Sequence, residues 1–130
     1  MEDNVGYQAL HQAVQSGCME SVKFMVDGLG LSPNTVSSRG FIPLSVAAKE
    51  GQTEVVKYLL SSGANINFTD DMGRTALHIA AGAQHTDTVK VLLEHEALIQ
   101  PDKTGTTPDN LAKKDTVKNI FKNYEKITQK

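Results

Sequence analysis

The sequence contains little cysteine, little proline and no long hydrophobic run. The single cysteine, Cys18, has no partner for an internal disulfide, so we expect a reducing compartment, the cytoplasm or the nucleus. The longest apolar stretches, such as the one around Leu59, fall far short of the ~20 residues of a membrane-spanning helix, and we expect no membrane span. The first residues are acidic and lack an apolar segment, which argues against a secretory signal.

The composition also excludes a fibrous or low-complexity chain. Four prolines and ten glycines in 130 residues are too few for either class, and 39% hydrophobic residues are enough for a folded core of about one domain. Neither sign of charge dominates the whole chain, since the net charge is only −2. The charge is uneven, however, because residues 1–111 hold 7 basic and 13 acidic side chains, whereas residues 112–130 hold 6 lysines and 2 acids.

Two blocks of sequence recur with a period of about 33 residues. The offsets between successive copies are 34 and 33 in both blocks, and a shortened fourth copy begins near Gly105. The blocks occupy residues 9–14, 43–48 and 76–81, and residues 20–26, 54–60 and 87–93. A period of this size predicts a repeat protein, in which each unit buries its apolar face on its neighbours.

Each block has the apolar spacing of a short amphipathic helix. Val56, Leu59 and Leu60, for example, are three and four residues apart and share one helical face. In each copy, the first block contributes one large and one small apolar side chain to the expected core. These residues are Leu10, Leu44 and Leu77, with Ala13, Ala47 and Ala80.

A glycine follows the first helix in two of the units. Gly17 and Gly51 stand where a left-handed residue commonly ends a helix. Gln84 occupies the third such place, and a side chain in that conformation costs ~1 kcal/mol or more relative to glycine. We therefore expect an altered turn between Ala83 and Asp87.

These residues resemble the ankyrin-repeat family. The segment 75–81, Thr-Ala-Leu-His-Ile-Ala-Ala, is similar to the family signature Thr-Pro-Leu-His-x-Ala-Ala, and residues 62–67 match its repeat junction. The resemblance covers roughly residues 4–124. It implies an all-α fold, an ankyrin-repeat solenoid of stacked helix-turn-helix units joined by β-hairpin-like loops, in one domain spanning residues 1–130. The implied units are residues 4–36, 37–69 and 70–101, with a shortened C-terminal cap at 102–126.

The sequence departs from the family pattern at several positions. Ile42 and Ser45 replace the signature threonine and histidine, Asp109 replaces a leucine, Gln84 replaces the glycine, and one residue is inserted near Leu29. We expect altered local hydrogen bonds in the second and fourth repeats.

No constellation of residues predicts catalysis. His11 and His78 share the signature position, where the family resemblance implies a hydrogen bond between repeats, and neither His85 nor His95 has metal-ligand spacing with Cys18. The segment 28–30, Gly-Leu-Gly, lacks the third glycine of a dinucleotide loop and is predicted to be a turn, and Cys18 has no histidine base nearby in its repeat. We expect no enzyme activity, no cofactor and no metal.

The family resemblance implies a protein-binding module, acting as an adaptor, a scaffold or a stoichiometric inhibitor. Its partner would contact the hairpin tips and the exposed face of the first helices, and we expect the protein itself to be a monomer. The candidate binding residues are Tyr7, Gln15, Arg39, Phe41, Lys49, Glu50, Met72, Arg74, Thr106 and Lys113. Four of them, Tyr7, Phe41, Arg74 and Thr106, each follow the glycine of an expected hairpin. Tyr7, Phe41, Met72 and Arg74 are the expected energetic centre, since aromatic and arginine anchors dominate many interfaces. For Tyr7 and Phe41 the alternative is packing against the protein itself.

The basic C-terminal segment supports an alternative function, charge-driven binding of nucleic acid or an acidic membrane. Its lysines are Lys113, Lys114, Lys118, Lys122, Lys126 and Lys130. Val117, Ile120, Phe121 and Tyr124 form an opposite apolar face, which is typical of a terminal capping helix with a solvated outer side. We therefore favour protein over nucleic acid as the partner.

Overall fold

The computed structural model describes the backbone of residues 2–37 and 40–128 and the side chains of residues 8–37 and 40–124. All regular secondary structure within those ranges is helical, which confirms the predicted all-α fold. In chain order the elements are α1 (Glu2–Ser16), α2 (Met19–Lys23), a π-helical turn (Phe24–Gly28), α3 (Pro43–Glu50), α4 (Thr53–Ser61), α5 (Ala76–Gly82), α6 (Thr86–Glu94), a 3-10 turn (Pro108–Leu111) and α7 (Asp115–Thr128).

The helices form two stacked layers. The first helices of the units, α1, α3 and α5, pack side by side and are followed by the 3-10 turn, while α2, α4, α6 and α7 form the second layer. Leu10, Leu44 and Leu77 are fully buried between the layers, as predicted. Each unit thus hides its apolar face on the next one, which is the basis of a solenoid's stability.

Three hairpin turns connect the units at one edge of the stack, at residues 37–41, 70–74 and 102–106. In each turn the N–H of the first residue donates to the carbonyl of the last, over 2.7, 3.0 and 2.9 Å respectively. The fourth residue is a glycine with φ between 77° and 85°, a left-handed conformation that costs glycine little.

The prediction of a further hairpin ending at Tyr7 is wrong. Helix α1 begins at Glu2 and continues through Gly6 and Tyr7. A glycine inside a helix costs about 1 kcal/mol, but continuous hydrogen bonding over 15 residues offsets that cost. Tyr7 therefore lies within a helix and not after a turn.

The predicted alteration of the turn at Gln84 is also wrong. Gln84 has φ of 63°, close to the 74° of Gly17 and the 69° of Gly51. Its N–H donates to the carbonyl of Ala81 over 3.0 Å, the same bond that closes the other two turns. The backbone therefore keeps the repeat geometry despite the side chain.

The side chain of Gln84 explains why the strained conformation persists. Its Nε2 donates to the carbonyl of Leu111 over 2.9 Å, and its Oε1 accepts the backbone N–H groups of Lys113 and Lys114 over 2.8 and 3.0 Å. These bonds, which we term the Gln84 clip, join the third unit to the C-terminal cap and offset the backbone strain.

The inserted residue is absorbed by the π-helical turn. In the second and third units, the N–H after the second helix, that of Ala64 or Ala97, donates to the carbonyl five residues earlier. In the first unit, the equivalent N–H of Leu31 donates to the carbonyl of Met25, six residues earlier. One extra residue is therefore accommodated inside the helix, as in other π-bulges. Gly28 ends this π-helical turn, so only Gly30, with φ of 74°, lies in the turn predicted for residues 28–30.

Helix α7 closes the far end of the stack. Val117 and Phe121 are buried against the preceding unit, while Lys118 and Lys122 are exposed. This arrangement confirms the predicted apolar and solvated faces of the terminal helix. No helix in the described ranges has the length and apolar content needed to cross a bilayer.

Candidate partner-binding groove

A groove of about 1270 Å³ runs along the first layer of helices. Its floor is formed by α1, α3 and α5, and its wall by residues 35–37 and the hairpin turns. The periodic stacking of the units places equivalent side chains in rows along it, so a single elongated surface results from short local elements.

The end of the groove at α1 is polar but uncharged. Gln8, Gln12 and Gln15 are four and three residues apart on α1 and expose their amides on one helical face. His11 lies between them and bonds the carbonyl of Phe41 through Nε2 over 3.1 Å. This part of the groove offers both hydrogen-bond donors and acceptors to a partner.

The middle of the groove is apolar. Phe41, Val46 and Ile79 are each half-buried, and Leu111 continues the row towards the cap. Val46 and Ile79 hold equivalent positions on α3 and α5, 33 residues apart. The repeat therefore builds an apolar strip whose open side remains in contact with solvent.

Charged groups flank this apolar strip. Lys49 and Glu50 are exposed at the end of α3. The Nε of Arg74 contacts Oδ2 of Asp70 over 3.0 Å, and the Asp70 side chain is only 4% exposed whereas that of Arg74 is 44% exposed. Asp70 also accepts the N–H groups of Met72 and Arg74, each over 2.9 Å. The arginine is thus held in place before any partner arrives.

Asp102 plays the corresponding part in the last hairpin turn. The hydroxyl of Thr104, with the N–H groups of Thr106 and Thr104, lowers the pKa of the Asp102 carboxyl because all three donate to its ionised form. Asp102 lines the groove and keeps a negative charge at its far end.

The imidazoles of the signature positions are engaged in structural hydrogen bonds, as predicted. His78 is buried, accepts the N–H of Thr75 at Nδ1 over 3.1 Å, and contacts the carbonyl of Thr106 through Nε2 over 2.9 Å. Among the residues that the structure describes, no three His, Cys, Asp or Glu side chains form a group that could hold a metal ion. Cys18 is exposed and lies outside the groove.

The structure brings most of the predicted binding residues together. Those that line the groove are Gln15, Phe41, Lys49, Glu50, Arg74 and Thr106. Met72 and Lys113 are exposed but lie outside it. Arg39 and the side chain of Tyr7 lie outside the described residues.

Sequence reasoning missed several lining residues, above all Gln8, Gln12, Val46 and Ile79. Gln12 lies three residues before Gln15 on α1, and Val46 lies three residues before Lys49 on α3, so the helical repeat of 3.6 residues was the signal that could have identified these two. Gln8 and Ile79 have no predicted residue at that spacing on their helices.

The chain matches a family model over its full length and several repeat proteins over part of it. The family model described as ankyrin repeats (3 copies) matches residues 1–70 and 44–130. An ankyrin repeat protein of fowlpox virus (strain NVSL) is 35% identical over 91 residues, which cover 70% of this chain and 20% of the viral protein. Neurogenic locus notch homolog protein 1 of Homo sapiens is 30% identical over 97 residues, 75% of this chain and 4% of that protein. Rabankyrin-5 of Mus musculus is 41% identical over 71 residues, 53% of this chain and 6% of that protein. The matched stretch thus spans a small part of each of these relatives.

Proposed function

Because the chain belongs to the ankyrin-repeat family, whose members are generally protein-protein interaction modules, we propose that it holds a partner protein in the groove along α1, α3 and α5. The observation that carries this proposal is the solvent-open apolar strip of Phe41, Val46 and Ile79 between polar ends. An apolar centre with a polar rim is the usual composition of a specific interface.

The energetic centre of the interface would be Phe41 with Ile79 and Arg74. Covering the half-buried rings and methyl groups removes apolar surface from water, and Arg74 adds hydrogen bonds without having to be ordered first, since Asp70 already fixes it. Lys49 and Glu50 would form a charged rim that contributes more to orientation than to affinity. An adaptor, a scaffold and a stoichiometric inhibitor could each use such a surface, and we place the protein, as a monomer, in the cytoplasm or the nucleus.

The test compares groove and off-groove variants of the same chemistry. Phe41→Ser with Arg74→Ser removes the centre of the groove, whereas Phe24→Ser removes an aromatic side chain that is 61% exposed and lies outside it. A partner captured from the source cell and then purified should bind the groove variant at least about tenfold more weakly, the effect of losing roughly 1.4 kcal/mol, and should bind Phe24→Ser as tightly as wild type.

Both variants should keep the circular dichroism of the wild type. Unchanged affinity of the groove variant for the purified partner would show that the groove is not the binding site.

Ionic strength separates this proposal from charge-driven binding. Lys118 and Lys122 are exposed on α7, so a nucleic-acid complex held by them should weaken steeply with added salt and be lost in the variant Lys118→Gln with Lys122→Gln. A groove complex centred on Phe41 should change little under either condition.

A further inference from the structure

The middle unit lacks the histidine that its neighbours carry. His11, Ser45 and His78 hold the same position, 34 and 33 residues apart. Each of the two imidazoles bonds the last carbonyl of the following hairpin turn through Nε2, over 3.1 and 2.9 Å. The serine side chain is shorter than an imidazole, and its hydroxyl makes no such bond with any residue that the structure describes.

The carbonyl that such a histidine would bond is that of Arg74. It accepts the N–H of Asp70 over 3.0 Å and no other group among the described residues. The equivalent carbonyls of Phe41 and Thr106 each accept a hairpin N–H and a histidine Nε2. One acceptor position on Arg74 is therefore open.

A backbone donor is also left without its usual acceptor. In the third unit, the N–H of Thr75 donates to Nδ1 of His78 over 3.1 Å. Ile42 holds the place of Thr75 and is only 1% exposed, yet its N–H donates to no acceptor in the described ranges. Buried N–H groups are seldom left unpaired in proteins, so this one calls for an explanation.

The Ser45 hydroxyl faces the groove. Ser45 is 4% exposed and makes no side-chain hydrogen bond with the described residues. Only Tyr58 Oη, among described side-chain polar atoms, is fully enclosed and unpaired, so the Ser45 hydroxyl is in contact with solvent. It lines the groove together with Val46 and Ile79.

We propose that this position, the Ser45 recess, is a subsite that receives a neutral imidazole from a histidine of the partner protein. We define the Ser45 recess by the groove-lining residues Ser45, Val46, Arg74 and Ile79 together with the backbone N–H of Ile42. The entering N–H would donate to the open carbonyl of Arg74, and the other ring nitrogen would accept from the Ser45 hydroxyl or the Ile42 N–H. The partner would thereby complete the hydrogen-bond pattern that the chain completes by itself in the units on either side. This inference rests on the proposed use of the groove.

Free imidazole is the probe for this subsite. It is titrated into the isotope-labelled full chain at about pH 8, where an imidazole with a pKa near 6.5 to 7 is mostly neutral. Saturable amide shifts centred on Ile42, Arg74 and Ile79 at millimolar concentration, with a rise in melting temperature, are the expected result. N-methylimidazole lacks the N–H donor and should bind at least about tenfold more weakly, a loss of roughly 1.4 kcal/mol.

The variant Ser45→His provides the matched control. Its own imidazole should occupy the recess, abolish the shifts and raise the melting temperature. Shifts that do not saturate, equal binding of N-methylimidazole to the wild type, or unchanged shifts in folded Ser45→His would each overturn the subsite. The comparison of the two probes uses the wild type alone, so it decides the matter even where Ser45→His does not fold.

A purified partner then tests the link to function. Ser45→His should weaken its binding, and unchanged affinity in the folded variant would overturn the subsite. Loss of binding in the Phe41 and Arg74 variant bears on the groove as a whole, whereas the imidazole titration needs no partner, so the two proposals can fail separately.

Discussion

A side-chain acceptor at the first position of each hairpin turn stabilises the wall of the groove. Ser37, Asp70 and Asp102 hold this position, and each accepts the N–H of the residue four places later over 3.2, 2.9 and 3.0 Å. The side chain thereby pairs a backbone N–H group at the end of the turn. A carboxylate does this more strongly than a hydroxyl, because its bonds are charge-assisted.

The pH dependence of stability should reveal the role of Asp102. Its pKa is lowered in the folded chain, so its contribution is complete above the ordinary value near 3.8 and is lost as the pH falls through the lower folded-state value. Wild type should be more stable than Asp102→Asn at neutral pH, and the difference should shrink below about pH 4. Urea unfolding at several pH values measures it, and a difference that grows on acidification would contradict this assignment.

Gln84 combines a strained backbone with a compensating side chain, and two substitutions separate these effects. Gln84→Ala loses the Gln84 clip and keeps the strain, and we expect it to cost about 2 kcal/mol. Gln84→Gly loses the same bonds but relieves the strain, so it should cost about 1 kcal/mol less than the alanine. Chemical denaturation of both variants tests this order. A glycine variant more stable than wild type would show that the hydrogen bonds of the Gln84 clip contribute less than the backbone strain costs.

At the scale of the element, the second helix of the first unit differs from its counterparts. The π-helical turn Phe24–Gly28 accommodates one extra residue, so the residues after it keep the same phase as in the other units. A single insertion in a regular α-helix would rotate every later side chain by about 100°. The wide turn confines that change to a few residues.

Deletion of one residue should therefore cost less stability in the π-helical turn than in α4. Removing Gly28 should convert the π-helical turn to α-helix and change the free energy of unfolding by less than about 1 kcal/mol, since it restores the regular repeat. Removing Ser61 from the regular helix α4 displaces the packed end of that helix and should cost several times more. Thermal melting of the two deletion variants decides between them, and equal losses would argue against a simple insertion.

The sequence was sufficient to predict the helices and their repeat, because apolar spacing and phase depend only on local pattern. It was not sufficient for Tyr7, whose turn glycine is absorbed into a longer helix. It also could not predict the turn at Gln84, because the compensating groups belong to residues 111–114 and meet it only in the folded chain. Val46 and Ile79 were missed because a half-buried groove floor has the same sequence pattern as a core.

At the scale of the whole molecule, coverage by neighbouring units increases along the stack. Equivalent positions in the three units are held by Phe24, Tyr58 and Val91. The side chain of Phe24 is 61% exposed, that of Tyr58 is half-buried, and that of Val91 is only 6% exposed. Lys23 lies over the ring of Tyr58, 5.9 Å from its centroid, which shows that this position faces the preceding unit. In a solenoid each unit is stabilised mainly by its neighbours, so the first unit should be the least stable.

Native-state hydrogen exchange should show this gradient. Val22 in α2 and Val89 in α6 are equally buried side chains at comparable places in their units. Because regions with fewer stabilising contacts open at lower free energy, the amide of Val22 should exchange faster than that of Val89. Equal protection of both amides would indicate that the described units unfold only together.

The turns at Gly17, Gly51 and Gln84 also indicate what the addition of a further unit would require. A side chain added at Gly17 or Gly51 would lie within 2.6 or 2.7 Å of Gln52 or His85, so each glycine makes room for a residue of the following unit. Gln84 fills that room itself. We therefore expect that a further unit inserted directly after the third would need a smaller residue at position 84 to make room for its own first turn.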